Sequence, residues 1–418
     1  MGEKIITMSL LMLVSIFVAR HLGAEGYGIL SYAISLVSLF TIATHMGLHG
    51  LAIRELVRFP DRHTDLLGTI FYLKLMGAVF AIVVFLTIIL STESVGSTQF
   101  WVLLVASGII LFKPFEIFDY WFQSQVMAKY SATARGLVSI FFTILSVLLV
   151  VIGAHILAFA FSYLIKAMLI AFLFLYFFKL KSIITFKELR FKLAKAKELL
   201  GHSWMIMLGA LFAMVYLKID QVMIRWLVNT EEVGIYSVAV NLSETWYFIP
   251  TLIVASIFPK LIELQNKDNQ HFQKRLQQLF DMLFMIALSL AIVVTFISDP
   301  LILFLYGVEF EEAALILSIH IWAGIFIFMR AAFSKWILLE DAISFSMITQ
   351  GIGALLNILL NIMLIPIYEG TGAAMATIIS YAAASYFSLL FYKKSRLIFW
   401  MMTRAILSPL RYIYILLK

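Results

Sequence analysis

Residues 66–90 read Leu66-Leu-Gly-Thr-Ile-Phe-Tyr-Leu-Lys-Leu-Met-Gly-Ala-Val-Phe-Ala-Ile-Val-Val-Phe-Leu-Thr-Ile-Ile-Leu90, a long apolar run whose one charged residue is Lys74. A helix needs about 20 mostly apolar residues to cross a membrane. A strand of a membrane barrel would instead alternate apolar and polar residues. This stretch therefore predicts a transmembrane α-helix.

The whole chain has the same character. It contains 418 residues, of which 63% are hydrophobic and 13% are charged. An average soluble domain is roughly half apolar and one quarter charged. The composition excludes a soluble globular enzyme and a disordered chain, and the absence of Cys excludes disulfides and thiolate metal sites. We predict an all-α, polytopic membrane protein.

Twelve apolar runs are candidate spans, although the first, of about 15 residues, is shorter than a usual crossing. They cover Ile5 to Ala19, Ile29 to Gly47, Leu66 to Leu90, Phe100 to Phe118, Gly136 to Gly153, Ile156 to Phe178, Trp204 to Leu227, Gly234 to Phe258, Leu279 to Ile297, Ala313 to Phe328, Ile343 to Pro366, and Gly372 to Tyr392. Arg20 stands where a signal-peptide cleavage site would need small residues, so we expect the first run to be a retained helix.

The charges between the runs predict the topology. Lys and Arg favour short cytoplasmic loops. With the N-terminus in the cytoplasm, the basic segments fall inside, namely 54–62, 113–135, 179–197, 260–275 and the tail from 393. The opposite loops hold mainly Glu and Asp. We expect both termini to be cytoplasmic and no affinity for nucleic acid, because the net charge of +7 is explained by topology.

An internal repeat predicts two halves. Residues 20–33 and 225–239 share Arg, Leu, Glu, Gly-Ile, Ser and Ala, and each copy joins the first two helices of a six-helix set. Two six-helix lobes would be related by a pseudo-two-fold axis along the membrane normal. The predicted divisions are lobes at 1–178 and 204–392, a linker at 179–203 and a basic cytoplasmic tail at 393–418.

The linker has one apolar helical face and many Lys residues elsewhere. This pattern predicts a basic amphipathic helix on the inner leaflet. Two interpretations are open, a hinge between the halves and a solvated linker held to anionic lipid.

Ionisable residues within spans are costly and usually face a bundle interior or a wet cavity. The candidate substrate-binding bases are Arg54, Lys74, Lys218, Arg225 and Arg330, and the candidate acids for ion coupling or charge balance are Asp220 and Glu244. Bases in excess would attract an anion such as a phosphate. For Lys166 we expect the side chain to snorkel toward the headgroups.

No other site chemistry is predicted. His45 and His49 have the spacing of a metal-binding pair, but no acidic or further His ligand accompanies them, so we expect no metal. No Walker A motif and no catalytic residue is identified. We expect no cofactor and no enzymatic activity, and Pro250 should kink the eighth span.

Several motifs resemble those of bacterial polysaccharide flippases of the Wzx type, within the superfamily that includes multidrug extruders and lipid II flippases. They are Ala19-Arg-His-Leu-Gly-Ala-Glu-Gly-Tyr-Gly28, Gly47-Leu-His-Gly50 with Arg54-Glu-Leu56, Leu73-Lys-Leu75, Lys113-Pro-Phe-Glu116, Ile219-Asp-Gln-Val-Met-Ile224, and Leu242-Ser-Glu-Thr-Trp-Tyr-Phe-Ile-Pro250. The likeness covers nearly the whole chain.

The resemblance implies a flippase in the bacterial inner membrane. Its substrate would be an undecaprenyl-pyrophosphate-linked oligosaccharide, such as an O-antigen repeat unit, moved to the periplasmic leaflet by alternating access coupled to a proton or sodium ion. Membrane lipids, a polysaccharide polymerase and a chain-length regulator are the implied partners. A multidrug or small-molecule antiporter is the alternative, and a membrane polysaccharide polymerase ranks lower because the outer loops are short.

Overall fold

A computed structural model describes residues 2–340 and 342–411. The described residues fold into helices without strands, which confirms the all-α prediction. The helices are α1 (Gly2–His45), α2 (Leu48–Arg58), α3 (His63–Thr92), α4 (Thr98–Ser107), α5 (Ile109–Phe112), α6 (Ile117–Ser124), α7 (Ala128–Val151), α8 (Ile156–Lys181), α9 (Leu193–Leu227), α10 (Thr230–Glu244), α11 (Phe248–Lys267), α12 (Asn269–Leu305), α13 (Ala313–His320), α14 (Ala323–Leu339), α15 (Ile343–Ser385) and α16 (Arg396–Ile406).

Ten segments of the described chain are apolar and helical over a length that can cross a membrane. Two of them, Ile6–Arg58 and Ile343–Phe391, are far longer than the roughly 20 residues that one crossing needs. Each contains a break, at Gly23 (φ 69°) and at Glu369 (φ 51°). With each of these segments counted as two crossings, the described residues contain twelve spans, as the hydropathy predicts.

The two copies of the internal repeat lie at breaks between helices. Gly23 interrupts α1 within the first copy, and the gap between α9 and α10 falls within the second copy. Both copies therefore lie where one helix gives way to the next, as the sequence predicts.

The chain divides into two compact units, residues 1–222 and 223–418. The predicted N-terminal lobe ended earlier, at residue 178, with a separate linker to 203. The structure differs because α9 runs without a break from Leu193 to Leu227, so that the end of the linker and the seventh span form one helix. Of the predicted tail, residues 412–418 lie outside the described residues.

The linker does not form the single amphipathic helix that the sequence predicts. It makes one short 3-10 turn at Phe186–Glu188 and reaches α9 as extended chain. Two of its apolar side chains, Leu189 and Ala196, are buried in the apolar core of the first unit, whereas Ile183 and Leu193 are exposed. The Lys192 amide donates to Thr69 Oγ1 at 3.0 Å, so the linker is fixed to α3.

A glycine sets the distance between α3 and α1. A β-carbon added to Gly77 would stand 2.1 Å from the Ala43 carbonyl oxygen. Small residues allow such close approach of helix backbones in membranes. The contact holds the part of α3 that contains Lys74 against the end of α1.

In the second unit, the eighth span breaks before Pro250. A 3-10 turn at Thr245–Tyr247 separates α10 from α11. Proline has no amide hydrogen and clashes with the carbonyl four residues before it, so an unbroken helix is disfavoured there. The predicted kink is confirmed.

The start of the predicted tail is a packed helix. Ile398 and Met402 of α16 are fully buried. The Gln277 side chain donates to the Met401 carbonyl at 2.9 Å. Arg411 Nη2 lies 2.9 and 3.0 Å from the two carboxylate oxygens of Asp281, which is almost wholly buried in α12.

Candidate functional site

Lys74 has no exposed surface, although it carries the only charge of its apolar run. Its Nζ donates to Tyr120 Oη at 3.0 Å and to Glu116 Oε2 at 3.3 Å. A buried ammonium is tolerated only when it is paired and hydrogen-bonded. Glu116 and Tyr120 therefore account for the position of Lys74 inside the helix bundle.

Glu116 also binds two further bases. Its Oε1 accepts from Lys113 Nζ at 3.1 Å, and its Oε2 lies 3.6 Å from His45 Nδ1. Lys74, Lys113 and His45 come from α3, from the turn before α6 and from the end of α1. One carboxylate thus holds together three separate parts of the first unit.

The helix of the fourth span is interrupted between Lys113 and Glu116. This interruption explains why the two residues pair. Residues Lys113–Glu116 form a 3-10 turn with Pro114 near its start. Side chains three residues apart eclipse each other in a 3-10 helix. Lys113 and Glu116 are therefore on the same side of the turn, within ion-pair distance.

A cavity of about 220 Å³ opens beside this turn. Lys113, Glu116, Lys166 and Tyr163 supply most of its polar lining, and apolar residues of α1, α5 and α8 line the rest. Its lining has two lysines and one carboxylate. The cavity is suited to an anion, because lysine binds phosphate oxygens through charge-assisted hydrogen bonds.

Lys166 lies inside the unit, contrary to the expectation that it snorkels. Its Nζ is 4.4 Å from the centre of the Phe142 ring and 6.0 Å from that of Tyr163. Within residues 2–340 and 342–411, no carboxylate lies at ion-pair distance from Lys166. The sequence contained the relevant signal: Lys166 is ten residues from the start of α8, or about 15 Å at 1.5 Å per residue. A lysine side chain cannot reach a headgroup from that depth.

Asp119 forms a neighbouring but separate pair. It contacts Arg135 Nη2, and it accepts from Gln123 Nε2 at 3.1 Å. Arg135 also lies over the Phe174 ring at 5.7 Å. Asp119 does not line the cavity, so it offers a comparison for Glu116 on the same stretch of chain.

Of the bases predicted for the first unit, only Lys74 belongs to this cluster. Arg54 has a side chain that is 65% exposed and lies 3.8 Å from Glu55. Lys218 is half-buried on α9, and Asp220 is buried two residues later. The next residue, Gln221, hydrogen-bonds Ser35 and so connects α9 to α1. Substrate binding at Arg54 and Lys218, and ion coupling at Asp220, stay predictions.

The other three predicted residues belong to the second unit. Arg225 and Glu244 are half-buried near the ends of α9 and α10. Arg330 Nη1 donates to the Ala384 carbonyl at 3.2 Å, and its guanidinium is 5.9 Å from the centre of the Phe333 ring. These contacts give Arg330 a packing role within α14 and α15, and its substrate role stays a prediction.

Sequence reasoning missed the two lysines that line the cavity. The charge pattern places Lys113 in a cytoplasmic basic segment and gives no sign that it pairs with Glu116. The motif Lys113-Pro-Phe-Glu116 gave a usable signal, because it places a proline and two opposite charges inside an apolar run. The pairing of Glu116 with Lys74, about 40 residues earlier, appears only in the folded chain.

No cofactor site emerges from the described part of the chain. Within it, no group of three or more His, Asp or Glu side chains is arranged to hold a metal ion. His49 instead packs edge-on against the Tyr120 ring, with 4.7 Å between centres. The absence of metal and cofactor stays a prediction.

Two sequence families match the chain. The family described as "Polysaccharide biosynthesis protein" matches residues 1–265, which is more than half of the chain, and "Lipid II flippase MurJ" matches residues 248–417. A curated relative, "Probable flippase AglR" of Haloferax volcanii, is 27% identical over 188 residues. That match covers 44% of this chain and 39% of the relative's length, well under two thirds of it.

Solved structures with a similar fold cover nearly the whole chain. The structure "Lipid II flippase MurJ, inward closed conformation" has a TM-score of 0.68 at 18% identity, over 99% of this chain and 91% of that one. A transporter of the MOP superfamily from Pyrococcus furiosus, reported with a binding pocket of reverse polarity, has a TM-score of 0.59 at 15% identity, over 97% and 94%. An inward-facing MATE family transporter has a TM-score of 0.59 at 12% identity, over 95% and 96%. At these identities the similarity shows the fold alone.

Proposed function

Because the chain belongs to the polysaccharide biosynthesis protein family, we propose that it is a flippase that moves a lipid-linked oligosaccharide from one leaflet of the membrane to the other. The names of its relatives support this activity, since a lipid II flippase family matches its second part and a probable flippase is among its curated relatives.

The cavity beside Lys113 and Lys166 is the observation that carries the proposal. A lipid-linked sugar of this class joins its two parts through phosphate, and phosphate is the portion that needs positive charge inside an apolar body. A cavity of about 220 Å³ is below the roughly 300–1,000 Å³ of ordinary ligand pockets. It is therefore suited to a phosphate-bearing group, while the sugar and the lipid chain need other surfaces.

The proposal has finer parts. The substrate is an undecaprenyl-pyrophosphate-linked repeat unit of O-antigen or another surface polysaccharide, carried from the cytoplasmic to the periplasmic leaflet of a bacterial inner membrane. Alternating access coupled to a proton or sodium ion drives the cycle, and both termini are cytoplasmic. The loop charges support this orientation, because basic residues gather on one side of the twelve spans.

We also propose that the protein moves its substrate without catalysing a chemical reaction. The longest connection between the membrane-crossing segments in the described ranges runs from Ser182 to Lys192, and it is bound to α3 rather than folded as a separate domain. A multidrug antiporter is the second candidate, supported by the fold shared with the MATE family transporter. The lysines of the cavity favour an anionic substrate over a cationic drug.

The test uses proteoliposomes that contain the purified full chain and a fluorescent undecaprenyl-pyrophosphate oligosaccharide. Movement of the lipid between leaflets is measured by adding a fluorescence quencher outside the liposomes, which reaches only the outer leaflet. The double variant Lys113→Met, Lys166→Met should lower the flux at least about tenfold, because it removes both charged donors from the cavity. Lys129→Met is the matched control, since Lys129 is exposed in the same unit and does not line the cavity. Unchanged flux in the double variant, or transport of cationic drugs in place of the lipid-linked sugar, would contradict the proposal.

A further inference from the structure

Glu116 has two lysine partners, although one lysine is enough to balance its charge, and a histidine lies nearby. Lys74 Nζ lies 3.3 Å from Oε2, Lys113 Nζ lies 3.1 Å from Oε1, and His45 Nδ1 lies 3.6 Å from Oε2. The Lys74 pair is sealed from solvent on the lysine side, whereas the side chain of Lys113 is 32% exposed. The two sides of the carboxylate therefore differ: one is closed within the helix bundle and the other is open to the cavity.

The pairing of Lys74 with Glu116 is sufficient to neutralise the buried lysine. Tyr120 accepts a second hydrogen bond from that ammonium, at 3.0 Å. Lys113 is not required for this purpose. Its bond to Oε1 is an additional interaction, made within the lining of the cavity, since both Lys113 and Glu116 contribute to that lining.

An anion that enters the cavity meets two different lysines. Lys166 faces aromatic rings and has no carboxylate at ion-pair distance within the described ranges. Lys113 already donates to Glu116 Oε1 at 3.1 Å, so an anion that binds Lys113 also meets a carboxylate. The ammonium of Lys113 has further N–H donors, but Glu116 already balances part of its charge and repels a second anion.

We propose that Glu116 is an internal competitor for the anionic group of the substrate and sets its affinity in the cavity. This inference rests on the proposed function and adds a specificity-determining residue to it. A flippase must release what it binds, and an ion site that conducts must bind strongly enough for entry but weakly enough for exit. A carboxylate that reclaims Lys113 when the phosphate leaves would supply that balance.

The competing explanation is that Glu116 only neutralises Lys74. The two explanations make opposite predictions for Glu116→Gln. If Glu116 competes with the anion, the variant removes the negative charge beside Lys113 and anion binding becomes tighter. If Glu116 serves only as a counter-ion, the variant disturbs the fold and anion binding becomes weaker or stays the same.

The experiment measures the binding of inorganic pyrophosphate to the purified full chain in detergent by calorimetry, at fixed pH and ionic strength. Glu116→Gln should lower the dissociation constant roughly tenfold, because the negative charge that repels the anion beside Lys113 is removed. The same variant should lower the flux in proteoliposomes, since release becomes slow. Tighter binding together with slower transport is a combination that simple damage to the protein does not produce.

A second variant covers the risk that Glu116→Gln does not fold. The double change Lys74→Met, Glu116→Gln replaces the buried ion pair with neutral side chains, a substitution that is often neutral for stability. It also leaves Lys113 without its carboxylate, so it should bind pyrophosphate more tightly as well. Asp119→Asn is the matched control, because Asp119 pairs with Arg135 outside the cavity and its loss should leave the affinity unchanged.

The outcomes separate this inference from the proposed function. Wild-type protein that neither binds pyrophosphate nor moves the lipid-linked sugar would remove the proposed function. Wild-type transport combined with unchanged or weaker pyrophosphate binding in both Glu116 variants would overturn the inference alone. Tighter binding in Asp119→Asn as well would show a general charge effect and would also overturn it.

Discussion

Gly68 of α3 lies directly beneath the linker at Arg190. A β-carbon on Gly68 would stand 2.4 Å from the Arg190 amide nitrogen and 2.5 Å from its carbonyl oxygen. These are backbone atoms, which cannot rotate away as a side chain can. The Arg190 amide also donates to the Thr64 carbonyl at 3.3 Å, so the linker is bonded as well as packed at this position.

We expect Gly68→Ala to displace the linker from α3. Forcing an extra methyl group into a packed site costs about 1–3 kcal/mol. The melting temperature in detergent should fall. The rate of proteolysis between residues 182 and 192 should rise. Gly201→Ala is the control, since no atom lies within 4 Å of its added carbon and alanine favours a helix. Equal protease resistance in Gly68→Ala and wild type would contradict the docking.

Lys74→Met should lower the stability of the protein more than it changes anion binding. The change leaves Glu116 near Lys113 and His45 but removes its buried partner, which predicts a loss of about 3 kcal/mol, the lower end for breaking a buried ion pair. Lys74 does not line the cavity, so pyrophosphate affinity in the folded fraction should change little. Thermal melting and calorimetry check the two parts. A stable variant with abolished pyrophosphate binding would make Lys74 a direct ligand instead.

Arg411→Gln should loosen α16 from α12. Arg411 contributes two short contacts to Asp281, a carboxylate that is 5% exposed. Leaving such a group without its charged partner costs about 1–3 kcal/mol. Hydrogen exchange over residues 396–406 should become faster. The exposed pair of Lys260 and Glu263 at 2.8 Å provides the contrast, because Lys260→Gln should leave exchange in α12 and α16 unchanged.

Gly77→Ala should separate α3 from α1. The added carbon would meet the Ala43 carbonyl oxygen at 2.1 Å, and Lys74 lies one helical turn before Gly77. Moving this turn shifts Lys74 relative to Glu116, so both the melting temperature and the flux should fall. Gly136→Ala is the control, because its added carbon meets no atom within 4 Å. Wild-type flux in Gly77→Ala would show that the close approach is not needed for transport.

The fold was predictable from sequence to a large extent, since apolar runs of sufficient length determine which segments cross a membrane. Even the double segments Ile6–Arg58 and Ile343–Phe391 were divided correctly, because Gly and polar residues interrupt the apolar pattern at each break. The course of the linker was not predictable. Its apolar residues fit an amphipathic helix, but the groove above Gly68 and Thr69 binds it as extended chain, and that groove exists only after α3 has packed.

The site was predictable in part for a similar reason. A lone charge such as Lys74 stands out in an apolar run. Its partner Glu116 does not stand out, because it is about 40 residues away and near a span end, where acids are common. The expectation that Lys166 snorkels is wrong because the residue lies about 15 Å from the start of α8, too far for a lysine side chain to reach a headgroup.

The bonds that fix the linker to α2 and α3 reach residues that precede it in the chain. Its amides bind Thr64 and Thr69, and Lys195 binds Glu55 at 2.8 Å. The ribosome therefore delivers the docking surface before it delivers the segment that docks. Residues 1–222 have all the partners that hold the linker by the time residue 223 is added, and the first compact unit can close on itself while the second is still being made.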